Sequence, residues 1–190
     1  MRPIAPVAIA AEAGLFALAL GLGWWTGVPP LARLRWNWTA LALAGIATLP
    51  LLLALRWSLA TSLAPMRQLV RLAEERLTPL FSTCSAAELG VIALAAGMGE
   101  ETLFRGWLQP WLGQWLPPWA AVAGGAVVFG TAHPLTPAYV VAATVVGGYL
   151  GALTLLSGNL LLPIATHALY DFVALSLLVR LKPASPSDVL

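Results

Sequence analysis

Charge is scarce in this sequence. Only 9% of its 190 residues are Asp, Glu, Lys or Arg, against about a quarter in soluble globular domains. The net charge of +2, with no basic patch interleaved with aromatics, gives no support to a nucleic-acid partner. Cysteine is nearly absent: Cys84 stands alone, which excludes an intramolecular disulfide and a cysteine-built zinc site. Neither H-E-x-x-H nor G-x-S-x-G occurs, so the usual zinc-protease and serine-hydrolase signatures are missing. What is abundant is apolar surface. Hydrophobic residues make up 59% of the chain and the mean hydropathy is +0.84, the composition of an integral membrane protein.

Apolar runs divide the sequence into about six spans: residues 4–28, 39–55, 86–112, 119–132, 137–156 and 160–181. Pro29-Pro30, Pro117-Pro118 and Ser157-Gly158-Asn159 mark turns, and Pro50 predicts a kink. The start, Met1-Arg2-Pro3, runs into an apolar stretch longer than a signal peptide's core and reads as a retained first span. Glu12 interrupts that span near its inner end, within reach of the interface. The third stretch is longer than the roughly 20 residues a bilayer needs, so a tilt or an emerging end is expected. Residues 66–80 differ: Leu69, Val70, Ala73 and Leu77 recur at helical spacing, opposite Arg67, Arg71, Glu74 and Glu75. That pattern fits an amphipathic interfacial helix, or equally a solvated connecting helix. The expected fold is all-α, a polytopic membrane bundle of about six transmembrane helices plus one interfacial helix. Residues 1–190 form a single domain, with a core at 86–175.

Orientation follows from the basic residues. With both termini inside, Arg2, Arg56, Arg67, Arg71, Arg76, Arg180 and Lys182 are cytoplasmic, and only Arg33 and Arg35 lie outside. The same segmentation places Trp24, Trp25, Trp36, Trp38, Trp111, Trp115 and Trp119 on one side as an aromatic belt. Gly147-x-x-x-Gly151 signals close packing. The expected location is a bacterial inner membrane.

One stretch breaks the apolar rule. Glu100, Glu101 and Arg105 lie inside the third span, where a charge costs roughly 2.5–3.5 kcal/mol on insertion scales. Glu101 and Arg105 share a helical face and can pair, whereas Glu100 is turned about 100° away. A structural Glu–Arg clamp explains the first two and leaves Glu100 without a task. The two histidines also lie in or beside apolar spans. Phe129 precedes His133 by four residues, and Asn159, Pro163, His167 and Asp171 form a stripe at the same spacing. Short connectors make the spans antiparallel neighbours, so Glu100, His133 and His167 can meet. A carboxylate and an imidazole together can activate water as general base. A second imidazole and a hydrogen-bond donor can hold an oxyanion. Glu100, His133 and His167 can alternatively ligate zinc, although this spacing is no recognised zinc motif.

Glu100-Glu101-x-x-x-Arg105, Phe129-x-x-x-His133 and His167-x-x-x-Asp171 occur in that order, each in a hydrophobic helix. This constellation resembles the CAAX prenyl protease and bacteriocin-processing family of intramembrane glutamate endopeptidases, over roughly residues 86–175. The resemblance implies that Glu100 is the catalytic base, that His133 helps to activate water, and that His167 with residue 171 stabilises the oxyanion. Glu101 and Arg105 would brace the site, with Phe129 and Asn159 supporting it. It implies no metal and no other cofactor. Residue 171 departs from the asparagine of eukaryotic members, and the chain is shorter than their eight-span enzymes. As a neutral acid Asp171 would donate to an oxyanion as asparagine's amide does; as a carboxylate it would orient a protonated His167. The implied substrate is a membrane-associated peptide or lipidated protein, in contact with the lipid bilayer. Two other readings use the same polar residues: a non-catalytic binding or bacteriocin-immunity protein, and a proton-coupled transporter.

Overall fold

The computed structural model describes residues 4–180. Arg2, Lys182 and the polar tail from Pro183 lie outside them. All regular secondary structure among the described residues is helical. Helix α1 is Ile4–Thr26 and α2 is Trp38–Ala60. Helix α3 is Ala64–Phe81 and α4 is Ala86–Leu112, with the two axes bent by 115° at the break between them. Helix α5 is Pro118–Thr131, α6 is Pro137–Ser157 and α7 is Leu161–Arg180.

Local signals account for several boundaries. Asn37 caps α2 by accepting from the Thr39 N–H at 2.8 Å. Ser85 and Glu88 make a reciprocal capping box that starts α4 after the sharp bend. Thr136 caps α6 and precedes Pro137 at its first turn. At the other end of α6, Gly158 adopts φ +62°, which favours a residue with no Cβ. Pro50 lies inside α2 without ending it.

Each of the six apolar segments is a helix, but they are not six equivalent spans. Four helices are long and apolar enough to cross a membrane: α1, α2, α6 and α7. Taking α3 and α4 as one bent span makes five. Helix α4 carries Glu88, Glu100, Glu101 and Arg105, too much charge for an apolar span by composition alone. Helix α5 has only 14 residues, short of the roughly 20 a simple crossing requires. The segment expected to be amphipathic divides in part as its pattern predicts: Leu69, Val70, Ala73 and Leu77 are half-buried and Arg67, Arg71 and Glu75 are exposed, but Glu74, expected on the polar face, is half-buried as well.

Helix α4 is the centre of the bundle, packed between α1 and α7, with α2 against α7 and α5 against α6. Lipid-tail surroundings give little hydrophobic drive for helix association, so small residues and polar contacts set the fit. A Cβ on Gly97 would stand 2.7 Å from the Ile164 carbonyl oxygen of α7. A Cβ on Gly99 would stand 2.5 Å from the Glu12 carbonyl oxygen of α1. These two glycines bring both neighbouring backbones against α4 just before Glu100. Further on, Ala19, Leu103, Phe104, Leu108 and Phe129 close a buried apolar cluster. The Trp107 indole donates to Thr26 Oγ1 at 2.9 Å, and the Gln109 amide donates to the Gly151 carbonyl at 3.2 Å. Such interhelical bonds contribute about 0.6 kcal/mol each on average.

Candidate active site

The charged stretch of α4 contains a π-helical turn. Residues Thr102–Leu108 leave the α-helical register directly after Glu101, and the Gln109 N–H reaches back to the Phe104 carbonyl. Insertions of this kind recur at functional sites because they re-aim side chains without breaking the helix. Here Glu101 and Arg105 point into the bundle and are almost wholly buried, at 0% and 2% exposure. Arg105 Nη1 donates to Glu101 Oε1 at 2.7 Å, and Nη2 donates to the Gly147 carbonyl at 2.8 Å. The guanidinium also lies 4.4 Å from the Phe129 ring centroid, a cation–π contact. The small-residue motif at Gly147 therefore admits the arginine as well as the facing helix.

Glu101 Oε1 has a second partner. His167 Nδ1 lies 2.8 Å from it, which requires the proton of the imidazole–carboxylate bond to sit between them. His167 is 8% exposed and its Nε2 lies 3.5 Å from Asp171 Oδ2. The imidazole is thus held on one side by the buried clamp and faces Asp171 on the other. Arg105, Glu101, His167 and Asp171 form one chain of contacts from α4 to α7, which the Gly147 carbonyl ties to α6.

Glu100 points elsewhere, as its turn along the helix requires. Its Oε2 is buried without a hydrogen-bond partner and lies 3.8 Å from His133 Nε2. That distance is too long for a direct hydrogen bond and is one that a single water can bridge. His133 sits just past the end of α5, where its Nδ1 is 2.7 Å from the Phe129 carbonyl. The carbonyl can only accept, so Nδ1 carries the proton and Nε2 turns to Glu100. The Phe129 and His133 rings lie 4.7 Å apart, and Phe129 also meets Phe104 edge-on at 4.9 Å. Phe129 therefore packs against Arg105 and His133 together, and joins the two halves of the cluster.

The structure brings Glu100, Glu101, Arg105, Phe129, His133, His167 and Asp171 together and places Asn159 apart. Asn159 Oδ1 accepts from the Arg35 N–H and Nδ2 donates to the Arg35 carbonyl, at 3.1 and 2.9 Å. It fastens the connector between α1 and α2 to the start of α7, on the stripe's far end. Among the described residues, no group of three or more His, Cys, Asp or Glu side chains is placed to hold a metal ion. Beside Asp171 a cavity of about 870 Å³ opens between α2, α3, α6 and α7. Its walls include Leu51, Met66, Val145, Tyr139 and Tyr170, so it is apolar with two hydroxyls near the polar cluster.

One acidic residue belongs here that sequence reasoning sent elsewhere. Glu12 was expected to reach the interface, but α1 packs on α4 through Gly99 and turns the carboxyl inward. Its Oε2 is buried without a hydrogen-bond partner and lies 3.1 Å from where a Cβ of Gly99 would stand. The signal was a single charge in an otherwise apolar helix, which by default faces a bundle interior.

No curated protein and no solved structure matches the chain. Residues 82–173 match the family model described as type II CAAX prenyl endopeptidase Rce1-like, and that stretch contains Glu100, Glu101, Arg105, Phe129, His133, His167 and Asp171. Over this core the chain, a multi-pass helical membrane protein, is similar to the CAAX prenyl endopeptidase family.

Proposed function

We propose that the protein is an intramembrane glutamic endopeptidase that hydrolyses a peptide bond in a membrane-associated substrate, by a water that Glu100 and His133 activate. The observation that carries this reading is the pairing of an unpartnered, buried Glu100 oxygen with His133 Nε2 at 3.8 Å. The family match over the same residues supports it. In the reaction, the water O–H bond breaks as its oxygen attacks the carbonyl carbon, and the proton passes to Glu100. His133, fixed by the Phe129 carbonyl, keeps Nε2 directed at the same water. The developing oxyanion is held by His167 and by Asp171 acting as a neutral acid. When the C–N bond breaks, Glu100 returns its proton to the leaving amine. Glu101 and Arg105 do not touch the reacting atoms; they hold His167 in place. No metal takes part.

The substrate we infer has an apolar anchor next to the cut, such as the lipidated tail of a CAAX-type peptide. The cavity beside Asp171 has the size and the apolar walls to receive that anchor. The basic residues favour an orientation with both termini cytoplasmic, and we infer a bacterial inner membrane as the location. The test is incubation of detergent-solubilised protein with a quenched peptide ending in a prenylated CAAX-type tail. Release of the C-terminal fragment supports the proposal. Binding without any product would instead favour a non-catalytic binding protein on the same scaffold.

A further inference from the structure

Helix α3 stands outside the family-matched stretch, and none of its residues Ala64–Leu72 is fully buried. Its axis turns through 115° into α4, while α4 packs along the spans α1 and α7. Helix α3 therefore lies crosswise to the bundle, as a helix in the membrane interface does. Its two sides differ. Met66, Leu69 and Val70 face the 870 Å³ cavity, whereas Arg67 and Arg71, one helical turn apart, are exposed.

A smaller pocket of about 240 Å³ opens where α2 gives way to α3, lined by Ser62, Ala64, Arg67, Gln68 and Arg71. Its two cations are unmatched. Among the described residues every ion pair lies in the buried cluster of Glu100, Glu101, Arg105, His133, His167 and Asp171. Glu74 and Glu75, the nearest acids in sequence, do not pair with either arginine. The pocket also adjoins apolar surface, because Leu63, between its Ser62 and Ala64 walls, is 52% exposed. Gln68 lines both this pocket and the large cavity.

Two unmatched guanidiniums call for an anion, and their planar donor sets suit a phosphate. An exposed leucine beside them calls for a hydrocarbon chain. Free phosphate answers only the first demand; a phospholipid answers both.

We propose that this corner is a binding site for an anionic phospholipid, whose phosphate sits between Arg67 and Arg71 and whose acyl chain lies over Leu63. The Ser62 hydroxyl and the Gln68 amide supply further donors to the headgroup. Helix α3 then carries the lipid on its cationic side and the cavity on its apolar side, so the lipid steadies a helix that walls the cavity. The site stands whether or not Glu100 is the base, because no step of the proteolysis enters the argument.

Native mass spectrometry of the detergent-solubilised full chain, titrated with phosphatidylglycerol or with phosphatidylcholine of the same acyl chains, reads the site directly. Wild type should prefer phosphatidylglycerol by at least about tenfold, since each basic residue at an anionic lipid surface contributes about fivefold in affinity. Arg67→Gln and Arg71→Gln should each weaken phosphatidylglycerol about fivefold, and the double variant should bring it to the phosphatidylcholine level. Arg76→Gln, exposed on the same helix but outside the pocket, should leave the affinity unchanged. Inorganic phosphate at the same concentration should not displace the lipid. The three arginines are exposed, so all these variants should melt with wild type. Equal losses from Arg67→Gln, Arg71→Gln and Arg76→Gln would reduce the effect to general surface charge and overturn the site. Displacement by inorganic phosphate would overturn the lipid assignment, and equal affinity of wild type for the two lipids would overturn the proposal outright.

Discussion

Glu101→Ala isolates the energetics of the buried clamp. It removes the acceptor of two bonds, from Arg105 Nη1 at 2.7 Å and His167 Nδ1 at 2.8 Å. Arg105 is 2% exposed and retains only the Gly147 carbonyl and the face of Phe129. Breaking one partner of a buried ion pair costs about 3–5 kcal/mol, because the remaining charge is left uncompensated. At about 2–4 °C per kcal/mol for a chain of this size, the expected fall in Tm is about 6–20 °C. Tryptophan fluorescence during thermal unfolding in detergent reads it directly, since the chain has nine tryptophans. The double variant Glu101→Leu with Arg105→Leu removes both charges and should recover most of the loss, since apolar replacement of a buried pair is often close to neutral. It should not recover all of it: His167 loses an acceptor, at about 1–3 kcal/mol for an unmet buried donor. A Glu101→Ala protein that melts within about 2 °C of wild type, or a double variant as unstable as the single, would refute the clamp as described.

Three further outcomes follow from the packing and the chemistry. Gly97→Ala should lower kcat about 10²-fold, as expected for a displacement near 1 Å, because its Cβ would meet the Ile164 carbonyl oxygen at 2.7 Å and push α7 with His167 away. Gly90→Ala on the same helix meets only Phe172 at 3.8 Å and should leave kcat unchanged; equal rates in the two variants would remove the packing argument. Asp171→Asn keeps a hydrogen-bond donor and should retain cleavage within about tenfold, whereas Asp171→Ala should lose about 10²–10³-fold; collapse in the Asn variant would mean that the carboxylate form is required. Cleavage should survive prolonged chelation and metal-free purification; stoichiometric zinc whose removal abolishes activity would make Glu100, His133 and His167 its ligands.

The site was more legible in the sequence than the fold. Polar side chains are so disfavoured in apolar helices that Glu100, His133 and His167 stood out at once, and four-residue spacing located the Glu101–Arg105 clamp. The π-helical turn after Glu101 left no mark, because it depends on how α4 meets α1, α5 and α6 rather than on local propensity. Asn159 fitted the stripe by spacing alone, but it sits at the helix start, where the Arg35 backbone satisfies its amide. Glu12 misled for the opposite reason: only the contact of Gly99 with α1 decides which way that carboxyl turns. The count of six spans came from apolar runs; by length and composition four helices qualify, or five with the bent α3–α4 pair, because α5 is short and α4 carries four charged residues. The Ser85–Glu88 capping box, an S-x-x-E signal that the sequence analysis passed over, marks where the chain turns into α4.

The central claim is that Glu100 is the base. The most direct measurement is cleavage of the quenched prenylated peptide by Glu100→Gln, purified as a folded, monodisperse protein beside wild type. Glutamine has nearly the same shape and cannot take a proton from water, so the account predicts a loss of at least about 10²-fold in kcat with Tm unchanged. Wild-type cleavage by the Gln variant would contradict it.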